Sequence, residues 1–414
     1  MTSKHHRRET CRLCGSRNLE QVLSLAPTPP ANAFVSRDEL GAEQPCYPLD
    51  LHFCNACTHV QLLDVVDPGE LFSNYVYVSG TSPVFVEHFE EYAMNVTKRF
   101  GSVDGRLVVE IGSNDGTLLG FFRGHGAEIL GIDPARRIAA QANANGVKTL
   151  AEFFTPGLAR TIRREHGAAK VVAANNVLAH ADDLAAIIDG VATLLADDGV
   201  LVFEVSYLAD VYRHLLFDTI YHEHLDYHSV KPLVPFLDAR GLCLTRVERV
   251  ASHGGSIRCY AQPKAAGPAI HASVRRCITA EEDLGLDRAG TFRQFGERIT
   301  GLGSRLRSEL KSISAAGKTI AAYGAPAKAT TLMYHFQLSA AQIEFIVDDS
   351  EWKQGLYSPG LHIPVVASSE IYRQRPDYLL VLAWNFADPI ISKHQAFRDA
   401  GGTFIVPLPE MRLI

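Results

Sequence analysis

No stretch of the chain comes near the ~18 consecutive apolar residues of a membrane-spanning helix, so no membrane partner is expected. A charge excess of one sign is missing too. With 40 Lys and Arg against 46 Asp and Glu, the net charge is −6, which gives no general attraction to nucleic acid or anionic lipid. The opening residues "MTSKHHRRET" are polar, and no apolar segment follows them. A secretory signal is therefore not expected, and a cytoplasmic location is the default. In that compartment the eight cysteines read as thiols or metal ligands rather than disulfides. Low-complexity segments and sequence repeats are also lacking. What is present is 47% apolar and 21% charged, the balance of a globular protein. At 414 residues the chain is too long for one ordinary core, so two or three domains are expected.

Five cysteines fall within the first 57 residues, and four of them form two pairs, "CRLC" and "CNAC". Each C-x-x-C lets two thiolates converge from one tight knuckle, and two knuckles complete a tetrahedral zinc site. Cys11, Cys14, Cys54 and Cys57 are the expected ligands. Four thiolates leave no open position, so the site reads as structural. The 39 residues between the pairs exceed a usual zinc-ribbon spacing and imply a small domain. Cys46 is left over and reads most simply as a small buried apolar residue.

From residue 107 the pattern is α/β. "LVVEI" runs into the turn "GSNDG" and then a helix, and "AEILGID" is a second strand ending in Asp133. Strand-like runs recur at 171–176 and 200–205, separated by helical patterns, which implies a doubly wound parallel sheet. Residues 231–263 read as a helix followed by two strands. Phe292, Phe295, Ile299, Leu302, Leu306, Leu310 and Ile313 then trace one face of a long helix, for which Gly317 is a plausible C-cap. A second α/β series follows to the C-terminus.

The turn "EIGSNDG" lacks the middle glycine of the dinucleotide fingerprint G-x-G-x-x-G. A pyrophosphate needs that close backbone approach, and a methionine-bearing nucleoside does not. S-adenosylmethionine is favoured over NAD on this ground. In that reading Gly112 and Gly116 shape the pocket floor and Asp133 holds the ribose. Glu110 meets the ammonium group, Asn175 lies near the adenine and methionine contacts, and Asn114 belongs to the same turn. The bland alternative makes Glu110 and Asp133 ordinary strand-end residues.

The two C-x-x-C pairs, "YVYVSGTSP", "EIGSNDGTLL", "YHEHLDYHS", "HGGSIR", "AAYGAPAKA" and "LAWNF" occur in that order. As an ordered set they resemble the sugar C-methyltransferases of antibiotic deoxysugar pathways. The closest resemblance is to C-3′-methyltransferases of dTDP-linked 3-amino-4-keto-2,3,6-trideoxyhexoses, as in tetronitrose biosynthesis. The resemblance implies a zinc-binding domain (residues 1–70), a Rossmann-like S-adenosylmethionine domain (71–265) and a C-terminal Rossmann-like α/β domain (266–414) that helps hold the nucleotide sugar. It further implies that the Tyr-His-Glu-His run is the catalytic segment, lined by Tyr75 and His180. Tyr77 and Ser79, in "YVYVSGTSP", fall to the substrate.

Methylating a carbon beside a ketone requires a base near neutrality, a donor for the enolate oxygen, and alignment. If 221–228 is helical, Tyr221, His224 and His228 share a face and His222 points elsewhere. His224 is the preferred base, Tyr221 the donor or keto-oxygen ligand, and Glu223 a carboxylate that orients an imidazole. His222 and His180 stand as further candidates. A solvated polar helix and a second metal site are the competing readings. His253, Ser256 and Arg258 in "HGGSIR" are candidate substrate contacts, Arg258 equally a surface charge. Lys328 offers a point charge to a diphosphate at a helix start, with a plain turn as the alternative. Asn385 is a loosely supported sugar contact, as are Asp348, Asp349 and Trp384. An NAD-dependent nucleotide-sugar oxidoreductase and a non-enzymatic zinc adaptor are the competing functions. The oligomeric state is open, with a monomer favoured.

Overall fold

The computed structural model describes residues 5–72 and 83–414. Tyr75, Tyr77 and Ser79 lie outside the described residues, as does the side chain of His253.

The N-terminal unit is an antiparallel sheet of β1 (Leu19–Thr28), β2 (Tyr47–Cys54) and β3 (Val60–Leu62). Its two C-x-x-C knuckles sit at the β1 and β2 ends, because Leu19 pairs with Cys54. Cys46 is exposed, against expectation. It precedes Tyr47, where the strand begins, and so never enters the sheet interior.

The middle unit opens with α1 (Pro83–Phe100) and continues with β4 (Leu107–Ile111), β5 (Glu128–Ile132) and β6 (Thr149–Leu150). Next come β7 (Ala169–Asn175), β8 (Leu195–Ser206) and a short β9 (Asp226–Tyr227). α2 (Val230–Asp238), β10 (Leu242–Val250) and β11 (Ser256–Pro263) complete it. The seven-stranded order is β10-β11-β8-β7-β4-β5-β6. The pairs from β8 to β6 are parallel, and the β10–β11 hairpin is antiparallel at one edge. Every residue of β4 is buried, as a central strand covered on both faces requires. Strand order reverses at β4, flanked by β5 and β7, so the ligand crevice lies at the carboxyl ends of these strands.

β9 belongs to neither the middle sheet nor a helix. Asp226 pairs with Gln61 and Tyr227 with Val60, adding a fourth strand to the N-terminal sheet. The helix considered for 221–228 is therefore absent. A 3₁₀ turn (Phe217–Thr219) leads into a bend closed by the His224 N–H to the Tyr221 carbonyl, 2.8 Å, and then into the strand. The backbone groups that a helix would bond internally are taken by the zinc unit: Leu62 N–H donates to Leu225 O at 2.8 Å.

The apolar stripe forms α3 (Ala289–Ala315), with all seven stripe residues buried. It packs onto the N-terminal sheet, Phe292 lying 5.9 Å from Phe53. It ends with the Lys318 N–H on Ile313 O and the Gly317 N–H on Ser314 O. The second α/β unit comprises β12 (Ile320–Tyr323), α4 (Ala327–His335), β13 (Ile346–Val347), β14 (Val365–Val366), β15 (Tyr378–Val381), β16 (Thr403–Val406) and β17 (Arg412–Leu413). Their order is β14-β13-β12-β15-β16-β17, which puts its first strand, like β4, at a reversal point.

Candidate active site and zinc centre

The four knuckle thiols meet. Cys11 and Cys57 Sγ are 3.6 Å apart, as are Cys14 and Cys54, and all four lie within 4.8 Å of one another. A tetrahedral ion with Zn–S bonds of ~2.3 Å needs edges near ~3.8 Å, so the cluster fits zinc. Burial pushes the Cys14 thiol up to about 11, and the shared proton with Cys11 pushes Cys57 upward. A dication reverses both effects by favouring thiolate.

The crevice at β4 has the chemistry of a cationic nucleoside site. Gly112 has φ +69°, and a Cβ there would stand 2.4 Å from Val177 Cγ2. Gly116, at φ +80°, starts the following helix. Asp133 accepts the Asn114 and Ala135 N–H groups, both at 2.9 Å, so it fixes the turn while each oxygen keeps a further lone pair. Glu110 is buried, with Asn175 Nδ2 at 3.5 Å from its Oε1. Glu110 Oε2, Asn175 Oδ1 and Ser113 Oγ are buried without a hydrogen-bond partner among the described residues. Burial raises the Glu110 pKa well above the carboxylate range, and Asp115 and Asp133 add to the shift. Buried acceptors grouped with like charges call for a cation. The sulfonium and ammonium of S-adenosylmethionine supply one, whereas a pyrophosphate would be repelled.

The histidine cluster begins just past β7, where the 3₁₀ turn Leu178–His180 follows Val177, the residue that faces Gly112. His224 Nδ1 is 2.8 Å from the Thr219 carbonyl, which can only accept. Nδ1 therefore carries the hydrogen, and Nε2 presents its lone pair to the Tyr221 hydroxyl at 3.1 Å. The His180 ring packs edge-on against His224, 4.9 Å between centroids. Tyr221, His224 and His180 are thus brought together. His222 is turned away, buried with its Nε2 3.2 Å from the Tyr47 carbonyl, and burial lowers its pKa to about 4. His228 is likewise buried, its ring 5.8 Å from that of His59, and does not share a face with Tyr221.

Two expectations are corrected, the imidazole partner of Glu223 and the surface reading of Arg258. Glu223 is bonded to Asn32 rather than to an imidazole: Asn32 Nδ2 donates to its Oε1 at 2.8 Å, and burial raises it to about 7. Arg258 is not a surface charge. It is buried, donates to Glu204 at 2.5 Å, and lies 4.3 Å over the Tyr92 ring, because Glu204 is its direct neighbour across β8 and β11. Ser256 Oγ donates to Ser252 O within the same turn. The Lys328 ammonium stands 3.7 Å from buried Asp218 and 4.2 Å above the Trp384 ring. Asn385 is exposed next to Trp384. Asp348 caps the Ala325 and Ser350 N–H groups, as Asp133 caps its own turn, and Asp349 accepts from Tyr323 and Lys393.

Sequence reasoning missed Asn32, Arg12, Asp182 and Asp218, which act across domain boundaries where no local spacing signals them. Asp226 was within the quoted segment, but only the strand pairing explains it.

The crevice and the closed four-cysteine centre define a zinc-containing, S-adenosylmethionine-dependent methyltransferase. Family models match residues 11–72 as a zinc binding domain, 85–247 as a methyltransferase domain and 251–409 as a C-methyltransferase C-terminal domain. The C-methyltransferase NovU of Streptomyces niveus is 36% identical over 407 residues, spanning 98% of this chain and 97% of that protein. The chain belongs to this C-methyltransferase family. Among solved structures, magnesium protoporphyrin IX methyltransferase (ChlM) of Synechocystis PCC 6803 with bound SAH is 17% identical, covering 42% of this chain and 82% of that chain, with a TM-score of 0.34. The CcbJ methyltransferase of Streptomyces caelestis is 15% identical, covering 42% and 89%, also with a TM-score of 0.34. Among the described residues no helix is long and apolar enough to cross a membrane.

Proposed function

We propose that the protein methylates C-3′ of a dTDP-linked 3-amino-4-keto-2,3,6-trideoxyhexose, in the cytoplasm, as part of deoxysugar and antibiotic biosynthesis. The observation that carries the chemistry is the fixed His224 tautomer, with a lone pair on Nε2 and the Tyr221 hydroxyl beside it. His224 Nε2 takes the C-3′ proton, made acidic by the C-4′ ketone. Once protonated, Nε2 no longer accepts from Tyr221, so the tyrosine hydroxyl turns its hydrogen to the enolate oxygen. When bound, S-adenosylmethionine would supply an electrophilic methyl group to C-3′ and leave as S-adenosylhomocysteine. Glu110, Gly112, Asn114, Gly116, Asp133 and Asn175 hold that cofactor, and His180 braces the base.

In this reading residues 1–70, 71–265 and 266–414 are the three domains, and the last contributes nucleotide contacts through Lys328 and Asn385. The sugar assignment is supported by the ordered motifs, and the C-methyltransferase class of the relative is compatible with it. Incubation with methyl-labelled S-adenosylmethionine and a panel of dTDP-4-keto sugars, followed by mass analysis, is the test. Label on the C-3′ carbon of the 3-amino sugar is the expected product. Label on oxygen or nitrogen, or tightening on NADH in place of S-adenosylhomocysteine, would overturn the proposal.

A further inference from the structure

We infer that Arg12, inside the first zinc knuckle, is a positioning residue that sets the spacing of His180 and His224 through Asp182 and Asp226. The inference rests on the catalytic reading of those histidines. The Arg12 side chain is fully buried, and its Nε lies 3.1 Å from Asp182 Oδ1 and 3.8 Å from Asp226 Oδ2. Asp182 follows His180 by two residues, and Asp226 follows His224 by two. Both histidine-bearing segments therefore present a carboxylate to one guanidinium. They are also joined directly, because Leu225 N–H donates to Ala179 O at 2.7 Å.

The guanidinium is itself pinned. Its Nη1 donates to Gln61 Oε1 at 3.3 Å and to the Leu62 carbonyl, and the Arg12 backbone N–H donates to the same Gln61 oxygen at 3.1 Å. Its neighbours Cys11 and Cys14 are zinc ligands, so the backbone that carries it is anchored at both ends of the knuckle. Asp226 Oδ1 is bonded to His59 Nε2 of the same unit at 2.6 Å, and its Oδ2 faces the guanidinium as an ion pair rather than a hydrogen bond. With Nη1 held by Gln61 and Leu62, the rigid guanidinium plane fixes the Nε edge and its charge between the two carboxylates, whereas an ammonium is a single point charge on a flexible stem. Arg12→Lys therefore keeps the charge that buried Asp226 needs and removes the spacing.

The test uses the full chain. Arg12→Lys, Asp182→Asn and the double variant are compared for zinc content, S-adenosylhomocysteine affinity, kcat and KM for the keto sugar, and deuterium exchange at the sugar carbon. A displacement of ~1 Å at a reacting group costs ~10²-fold, so Arg12→Lys should lower kcat and exchange roughly 10- to 100-fold. Zinc content, cofactor affinity and KM should hold, and the double variant should fall no further than Arg12→Lys alone. Unchanged kcat in zinc-loaded Arg12→Lys, multiplicative losses in the double variant, or a kcat loss that tracks lost zinc or cofactor would each overturn the inference. Should Arg12→Lys fail to fold, Asp182→Asn decides, because its carboxylate is partly exposed and tolerates the change. A kcat loss at constant KM supports the link, and full kcat sinks it. A wild type inert toward every keto sugar would sink the reaction assignment and this inference with it, whereas an active wild type with an equally active Arg12→Lys variant sinks this inference alone.

Discussion

At the scale of the residue, burial decides which of the crowded polar groups do chemistry. His222 and His228 are buried, and burial lowers both to about 4, so they stay neutral near pH 7. His224 keeps a carbonyl on one nitrogen and a hydroxyl on the other. His224→Asn should lower turnover ~10²–10⁴-fold, the usual loss of positioned base catalysis, with cofactor affinity barely changed. In D₂O with S-adenosylhomocysteine the variant should also exchange the C-3′ hydrogen much more slowly. Normal turnover in a folded variant would move the base to Tyr221 or His180. Glu223 makes a second prediction. Its folded pKa of about 7 lies above its ordinary 4.5, so the folded state binds the proton more tightly. Stability from this group is full below pH 4.5 and declines as pH rises through about 7, by on the order of 3 kcal/mol. Glu223→Gln should flatten the fall in denaturant midpoint between pH 5 and pH 8. A slope equal to that of the wild type would show that Glu223 titrates normally.

At the scale of the element, the strands were readable because each leaves a compact signal. β4, β5, β7 and β8 are short apolar runs bounded by turn residues, and their positions in the fold follow the sequence expectation closely. The α3 stripe was equally plain, since seven apolar residues at helical spacing are all buried. β9 was not readable. Two residues carry no period, and Asp226–Tyr227 is a strand only because Val60–Gln61, far away in sequence, offers it a free edge. The cofactor turn is the element where local pattern and site coincide. Asp133 holds the turn by two N–H bonds, so Asp133→Ala removes the brace on Asn114 together with the proposed ribose acceptor. Calorimetry should show S-adenosylmethionine binding weakened roughly 10- to 150-fold, the worth of ~1.5–3 kcal/mol for hydrogen bonds to a charged group. Unchanged affinity in a folded variant would remove Asp133 from the cofactor site.

At the scale of the whole molecule, the segment proposed to carry the base is gripped from both sides. From the C-terminal unit, Thr331 Oγ1 donates to Ile220 O at 2.8 Å, and Trp384 Nε1 donates to Asp218 Oδ2 at 2.6 Å. From the zinc unit, Asn32 holds Glu223, and β3 pairs with Asp226–Tyr227. None of these links has a local sequence signal. Each joins residues more than 100 positions apart, which is why the helix expected for residues 221–228 was wrong although the segment's polar composition was plain. The zinc centre, by contrast, was legible in full from two C-x-x-C pairs. The arrangement predicts that metal and methyl transfer are linked although the metal touches no substrate. Purified protein should hold about one zinc per chain, as a closed four-thiolate site does. Stripping it with a chelator should loosen the knuckle and the N-terminal sheet to which β9 belongs, because metal-ligand energy is folding energy in so small a unit. The strands β4, β5 and β7 of the proposed cofactor crevice belong to a separate sheet and pair with none of the N-terminal sheet's strands. The stripped protein should therefore still bind S-adenosylhomocysteine while hydrogen exchange at C-3′ and methyl transfer fall together, and zinc should restore both. Full turnover in zinc-free protein would mean that the catalytic segment holds its shape without the N-terminal sheet.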